Sequence, residues 1–215
     1  IGRQPALGVG EHQAPALDAG SGDVVGTAEL EDNAPEGAAS DGKGRIFVNN
    51  EGTNTIQVID LKTMKVLASW PIAPCESPTG IALDRKTMRI FSGCSKTSVV
   101  VDATNGKIVA NITNGDGVDA LGWDGSQKLI YIPAGQSGNV TVVRQDGPDS
   151  YTPVATVPTM RGAKTIAVDA GTHRAYAVAL ERGPAPAPAP GAPAGGRPPQ
   201  GPVIGAWLFV ISQGK

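Results

Sequence analysis

The sequence is poor in metal-binding side chains and in long apolar segments. It contains only two cysteines and two histidines, and the cysteines do not have the CxxC spacing of a zinc site. Structural zinc takes four such ligands, so His12 and His173 do not complete a site, and we expect no bound metal. No apolar segment approaches the roughly 18 to 20 residues that span a bilayer, so no membrane span is expected.

Charge of one sign is not in excess either. The chain has 18 Lys and Arg against 20 Asp and Glu. A balanced chain has no surplus of cations to neutralise a phosphate backbone. Nucleic acid is therefore the least favoured class of partner.

Glycine and proline are abundant, with 29 and 18 residues. Long stretches of strong helix formers are few, and this composition favours many strands joined by tight turns. The 40% hydrophobic content is enough for a substantial core in 215 residues. The composition predicts an all-β fold with almost no helix.

One pattern occurs four times along the chain. Each copy begins with a run that ends in aspartate, and successive aspartates are 43, 40 and 45 positions apart. A polar turn follows each aspartate, whose side chain can accept a hydrogen bond from the backbone amide two residues on. Further apolar runs follow, so that about four strands recur in each copy. The four first runs are PEGAASD, PTGIALD, VDALGWD and AKTIAVD, ending at Asp41, Asp84, Asp124 and Asp169.

A period of about 40 to 45 residues with four strands is typical of a β-propeller blade. Second runs such as IFV and IYI are apolar on successive residues, which indicates strands that are covered on both faces. Blades packed between neighbouring blades meet this condition. A β-sandwich is the second choice, because it would show cleaner alternation of apolar and polar residues.

The repeat divides the chain into blades of four antiparallel strands. The strands are too few for a closed ring, and their number is compatible with part of a seven-bladed propeller. We expect the C-terminal part of a longer propeller, closed in the parent by an N-terminal strand that pairs with Trp207 to Ser212. Proline cannot donate to a sheet ladder, so the proline-rich segment 183–202 is expected to leave the last blade as a loop. The expected units are 1–34 (outer strands of a preceding blade), 35–77, 78–117 and 118–162 (whole blades) and 163–215 (the last blade).

The repeats resemble those of the YVTN family of bacterial β-propellers, the YncE-like proteins. The segments that carry the resemblance are RIFVNNEGTNTIQVIDLKTMKVLASWPI, CESPTGIALD followed by RIFSGC, and VVVDATNGKIVANI. The resemblance extends from about Gly22 to Glu181 and resumes at Ala206. It implies a seven-bladed propeller, commonly exported to the periplasm or cell surface and often without an established activity.

The leading functional hypothesis is a non-enzymatic, exported propeller that acts as a scaffold for a ligand or protein. Some proteins of the resembled family are binding modules, including for DNA, and related propellers are lactonases or domains of redox enzymes. The alternatives are therefore a lactonase-like or redox-associated enzyme that holds a divalent cation at an acidic channel mouth, and a DNA-binding propeller. No catalytic residue and no other cofactor are predicted.

The two cysteines are candidates for a disulfide. Antiparallel pairing around the turn from Asp84 to Arg89 places Cys94 roughly opposite Thr79, and Cys75 lies just upstream on the same rim. A bond between them would indicate an oxidising compartment, periplasmic or extracellular. The alternative is two thiols without a bond, because pairing cannot be deduced from sequence alone.

Polar residues recur five positions before each aligned aspartate. If the first strand of every blade lines the central channel, these side chains surround one mouth of it, where a small molecule or a protein could bind. Rim loops are the other candidate surface. The alternative is that a wet channel mouth tolerates any polar residue. The candidates are Glu36, Thr79, Asp119 and Lys164, with Glu76 and Arg161 near the same rim.

Overall fold

The computed structural model describes residues 12–31, 34–187 and 199–212, and strands are the only regular elements there. None of these residues forms a helix, and so no helix among them is long and apolar enough to cross a membrane. The all-β prediction is confirmed. Parts of two expected units, 1–11 and 188–198 of the proline-rich segment, lie outside the described residues.

The strands form antiparallel sheets in which neighbours in sequence are neighbours in space. There is an N-terminal hairpin of two strands, then three four-stranded blades, then a last sheet of three strands. The hairpin contains β1 (Gln13–Leu17) and β2 (Val24–Glu29); the first blade β3 (Pro35–Ser40), β4 (Arg45–Asn50), β5 (Thr55–Asp60) and β6 (Lys65–Pro71); the second blade β7 (Ile81–Asp84), β8 (Arg89–Ser92), β9 (Thr97–Asp102) and β10 (Ile108–Thr113); the third blade β11 (Gly122–Asp124), β12 (Leu129–Ala134), β13 (Asn139–Gly147) and β14 (Ser150–Pro158); and the last sheet β15 (Thr165–Asp169), β16 (Arg174–Arg182) and β17 (Val203–Ile211).

The sheets are arranged radially around an axis. Their first strands, β3, β7, β11 and β15, contact one another in succession along this axis, and outer strands contact one another as β2 with β6 and β10 with β14. A sandwich would instead place two sheets face to face. The molecule is therefore part of a β-propeller, as the repeat predicts, and the number of blades in the complete ring stays a prediction.

The core lies between the blades. One cluster joins Phe47 and Ile56 of the first blade to Ile90 and Val99 of the second. A second cluster continues into the third blade, where every residue of β12 is buried. Full burial of each large aliphatic or aromatic side chain contributes about 1.5–3 kcal/mol. Burial on both faces explains why the second run of each blade is apolar without alternation.

Glycines allow the innermost strands to approach closely. The amide of Gly37 in β3 donates to the carbonyl of Thr79 at 3.0 Å, and a Cβ on Gly37 would lie 2.6 Å from that oxygen. A Cβ on Gly80 would collide with the backbone of Ala120 and Leu121. The small residues that begin the repeat are therefore required by contacts between blades at the axis.

The aligned aspartates shape the turn that follows each innermost strand. In every copy the first carboxylate oxygen accepts the backbone amide two residues on, at 2.7 to 3.0 Å, as the turn chemistry predicts. The donors are the amides of Lys43, Lys86, Ser126 and Gly171. These contacts fix the direction in which the chain enters the second strand.

Cys75 and Cys94 form a disulfide with their Cα atoms 5.5 Å apart, which confirms the predicted pair. Cys75 precedes β7 and Cys94 follows β8, so the bond closes the open end of that hairpin. Both residues are buried among side chains of the first and second blades. The bond therefore holds the end of the second blade at which β7 begins.

The last sheet is covered on one face only. Ala175, Ala177 and Ala179 are buried on the face toward the third blade. On the opposite face Val178 and Leu208 are 46% and 61% exposed. Each of the three four-stranded blades instead has a neighbouring sheet on both sides.

Candidate functional site

The four repeated polar positions lie at one end of the axis, where the innermost strands begin. Glu36 is the second residue of β3, and Thr79, Asp119 and Lys164 come just before β7, β11 and β15. All four line a cavity of about 860 Å³, which we call the upper pocket. The structure thus brings these side chains together, while their role in binding stays a prediction.

Opposite charges share the upper pocket. The Nζ atom of Lys164 lies 2.7 Å from Oδ2 of Asp119, and both side chains are partly exposed. Partial burial raises the pKa of Glu36, and the neighbouring carboxylates of Glu51 and Asp119 raise it further, against a smaller lowering by Lys164. The nearby positive charge of Lys164 is thus too weak to offset the burial of Glu36 and the negative charges beside it.

Thr79 has a structural contact within the pocket wall. Its side chain is buried, and its hydroxyl donates to the carbonyl of Val118 at 2.9 Å, across to the third blade. The side-chain amide of Asn49 in the first blade donates to the carbonyls of Thr79 and Gly80. Thr79 therefore joins three blades at the axis, and its hydroxyl is already committed to a protein acceptor.

Glu76 and Arg161 lie at the same end of the molecule but do not line the upper pocket. Both side chains are exposed. The backbone of Glu76 bridges to Ser95, which directs this segment along the rim. These two predicted residues therefore flank the cavity, each next to a residue that lines it, Ser77 or Gly162, without lining it themselves.

Two charged residues of the upper pocket were missed by the sequence analysis. Glu51 directly follows β4, and its amide donates to the carbonyl of Ala34 at 2.9 Å, so hairpin register alone would have placed it beside Glu36. Arg182 ends β16 and donates from Nη1 to the carbonyl of Gly201. Its position depends on the length of β16 and had no signal in the repeat.

The upper pocket contains three carboxylates against two cationic side chains. Its walls are otherwise polar or backbone in large part, with Val118, Val178 and Leu180 as apolar members. Across the described ranges 12–31, 34–187 and 199–212, no group of three His, Cys, Asp or Glu residues is placed to hold a metal ion. The arrangement can accept hydrogen bonds and attract a positively charged group.

Comparison with known proteins identifies the fold alone. No family model matches the chain, and no curated protein matches it in sequence. Kuenenia stuttgartiensis hydrazine synthase is similar in structure, with a TM-score of 0.65 and 16% identity over 79% of this chain and 51% of that one. A chain of the mitotic checkpoint complex has a TM-score of 0.64 and 15% identity over 74% of this chain and 50% of that one. The WD40 repeats of RRP9 have a TM-score of 0.65 and 11% identity over 77% of this chain and 53% of that one. The chain spans about half the length of each of these three chains.

Proposed function

We propose that the protein is a non-enzymatic binding scaffold whose upper pocket receives a positively charged group of a small molecule or protein segment. The observation that carries the proposal is the cavity of about 860 Å³ at the axis, to which several blades contribute charged side chains. Concave sites with a few converging polar groups are the usual place for ligands. The similarity to a chain of the mitotic checkpoint complex agrees with a role in presenting surfaces to partners.

The electrostatics of the pocket favour a cation. Burial and two neighbouring carboxylates raise the pKa of Glu36, so a positive group beside it would stabilise its ionised form. Asp119 already has Lys164 as its partner. Glu36 and Glu51 are therefore the carboxylates that we expect a ligand to contact.

The binding test uses probes that differ in charge. Spermidine and N-acetyl-lysinamide should shift the backbone amide resonances of Gly117, Gly135 and Gly162, which line the pocket. N-acetyl-norleucinamide, a neutral probe of similar shape, should not. Glu36→Gln should weaken binding by about threefold, the scale of a partly exposed ion pair.

Glu76→Gln is the matched control, because Glu76 is an exposed carboxylate at the same end of the molecule but outside the cavity. It should leave the affinity unchanged. Equal binding of the neutral probe, or equal effects of the two substitutions, would reject the upper pocket as a site for cations.

We further propose that the protein is exported, as the resemblance to YVTN propellers implies. The disulfide between Cys75 and Cys94 supports this, because such bonds persist in oxidising compartments. Protein isolated from its native host in the presence of iodoacetamide, without reductant, should show no added mass on either cysteine. Alkylation of both cysteines in freshly isolated protein would contradict export.

A further inference from the structure

A second cavity lies at the opposite end of the axis, where the innermost strands end. It has a volume of about 550 Å³, and the ends of β3, β7 and β11 with the turns after them form its walls. We call it the lower pocket. Ala39 and Leu83 contribute apolar surface, Trp123 an aromatic ring, and Arg85 and Lys86 positive charge. It shares no lining residue with the upper pocket.

Trp123 is held in place as the aromatic wall of this pocket. Its ring packs on Phe91 of the second blade, with the centroids 4.8 Å apart and the planes tilted by 52°. Gly125 lies against the indole nitrogen, since a Cβ at that position would be 3.1 Å from Nε1. Among the described residues we find no acceptor for this N–H, whereas the indole of Trp207 donates to Glu181. The ring therefore offers both an apolar surface and a hydrogen-bond donor.

The charge of the lower pocket is positive. Asp84 is its one carboxylate, and that side chain is buried with both oxygens engaged: Oδ1 accepts the amide of Lys86 and Oδ2 accepts the hydroxyl of Thr87. Arg85 donates from Nε to the carbonyl of Ser40 at 2.9 Å, which anchors its guanidinium across to the first blade. Neither Arg85 nor Lys86 has an ion-pair partner within the described part of the chain.

We propose that the lower pocket binds a small aromatic carboxylate. The flat ring of such a ligand packs on Trp123 and Leu83, and its carboxylate accepts hydrogen bonds from the Arg85 guanidinium, the Lys86 ammonium and the indole N–H. A cavity of this volume suits a small organic ligand, and a mixture of apolar wall and a few fixed polar groups gives such sites their selectivity. Hydrogen bonds between charged groups are the strong ones, so the carboxylate is the part of the ligand that decides affinity.

The test titrates 2-naphthoate into isotopically labelled protein. The indole N–H resonance of Trp123, identified by its loss in Trp123→Phe, should shift and saturate. Lys86→Gln should weaken binding about tenfold or more, the loss expected for one charge-assisted hydrogen bond. Lys43→Gln is the matched control, because the amide of Lys43 bonds Asp41 as the amide of Lys86 bonds Asp84, yet Lys43 lies outside the cavity.

Two further probes identify the chemistry of the ligand. Naphthalene-2-carboxamide, which has the rings without the charge, should bind at least about fivefold more weakly than naphthoate. Inorganic phosphate should compete poorly, because it cannot use the aromatic wall. Equal binding of the carboxamide, competition by phosphate at naphthoate's own concentration, or equal effects of the two lysine substitutions would overturn the proposal.

A response of the Gly117 and Gly135 amides in place of Trp123 would also overturn it, by placing naphthoate in the upper pocket. If Trp123→Phe fails to fold, the comparison of Lys86→Gln with Lys43→Gln decides, since both lysine side chains are exposed and removable. The result is independent of the upper pocket, whose probes carry the opposite charge.

Discussion

At the scale of single residues, Asp124 differs from the other turn aspartates because it also connects two sheets. Its side chain is fully buried, and Oδ2 lies 2.9 Å from Nδ1 of His173, which follows β15. Burial on its own would raise the pKa of Asp124, but hydrogen bonds from Ser126, Gln127 and His173 outweigh it and hold that pKa below its usual value. The ionised carboxylate is thus the form that the folded state prefers.

Replacing this carboxylate should destabilise the molecule. We expect Asp124→Ala to lower the free energy of unfolding by about 2–3 kcal/mol at pH 7, because it leaves buried donors without an acceptor. Because the folded pKa is depressed, this stability is present above the ordinary aspartate pKa and is lost as the pH falls through the folded value. Urea denaturation at pH 7 and near pH 3 measures both effects.

Asp169→Ala is the control for that experiment. Asp169 accepts the same kind of turn hydrogen bonds but is exposed. Asp169→Ala should therefore lower the free energy of unfolding by clearly less than Asp124→Ala. Equal losses for the two variants would mean that the burial of Asp124 and its hydrogen bond with His173 add nothing to the stability given by the turn itself.

The contribution of Glu36 to stability should change with pH in the opposite sense. Its folded pKa is raised by burial and by Glu51 and Asp119, so folding favours the protonated form and the ionised group reduces stability as the pH rises through its titration range. Glu36→Gln should raise the melting temperature at pH 7 by about 1–2 °C, since a partly exposed charge is worth a fraction of a kcal/mol. The gain should vanish near pH 4. A lower melting temperature at pH 7 would show that Lys164 already compensates the charge.

At the scale of elements, the β7–β8 hairpin is the one that carries a covalent closure. The disulfide encloses a sequence separation of 19 residues, and a loop of that size constrains the unfolded chain by about 3 kcal/mol. The double substitution of Cys75 and Cys94 by alanine should lower the free energy of unfolding by about that amount. Guanidinium denaturation of the variant, compared with wild type in the presence and absence of reductant, measures it.

Reductant should have no effect on the alanine variant. If wild type with reductant were as stable as wild type without it, the bond would contribute nothing to stability, and the strand pairing and packing of the second blade would be sufficient.

The strands were predictable to different degrees, for physical reasons. The second and third runs of each blade, such as β12 and β9, are buried on both faces, and their continuous apolar residues reveal them directly. The innermost strand β3, PEGAAS, has little apolar character, and only alignment on Asp41, which follows it, reveals it. Small residues are needed there because the innermost strands approach one another closely, and small residues leave no hydrophobic pattern.

The candidate sites were predictable only in part. Glu36, Asp119 and Lys164 occupy the same position of the repeat, and this alone predicts that they lie at one end of the axis. Arg182 reaches the upper pocket because the long strand β16 ends there. The lower pocket forms only where three consecutive blades meet. Contacts between blades that are distant in sequence have no local signature, so pattern reasoning does not reach them.

At the scale of the whole molecule, the two ends of the axis have different charge. The upper pocket has three carboxylates and two cations, whereas the lower pocket has two cations and one carboxylate that is fully hydrogen-bonded. The charged residues of the upper pocket lie near the beginnings of the innermost strands, except Glu51 after β4 and Arg182 at the end of β16, and the two cations of the lower pocket follow the end of β7. The two ends of the innermost strands thus differ in the sign of the charge around them.

Burial between blades also predicts how stability is distributed along the molecule. Sheets in an array are stabilised mainly by their neighbours, so a sheet with one uncovered face opens at a lower free energy than one covered on both sides. Hydrogen exchange followed by mass spectrometry should find the amides of β8, β9 and β12 protected longest. Those of β17, where Leu208 and Val210 face solvent, should exchange sooner although the strand is nine residues long. Equal protection of β12 and β17 would mean that the sheets open together as one cooperative unit, and the stability of each blade would then not depend on coverage by its neighbours.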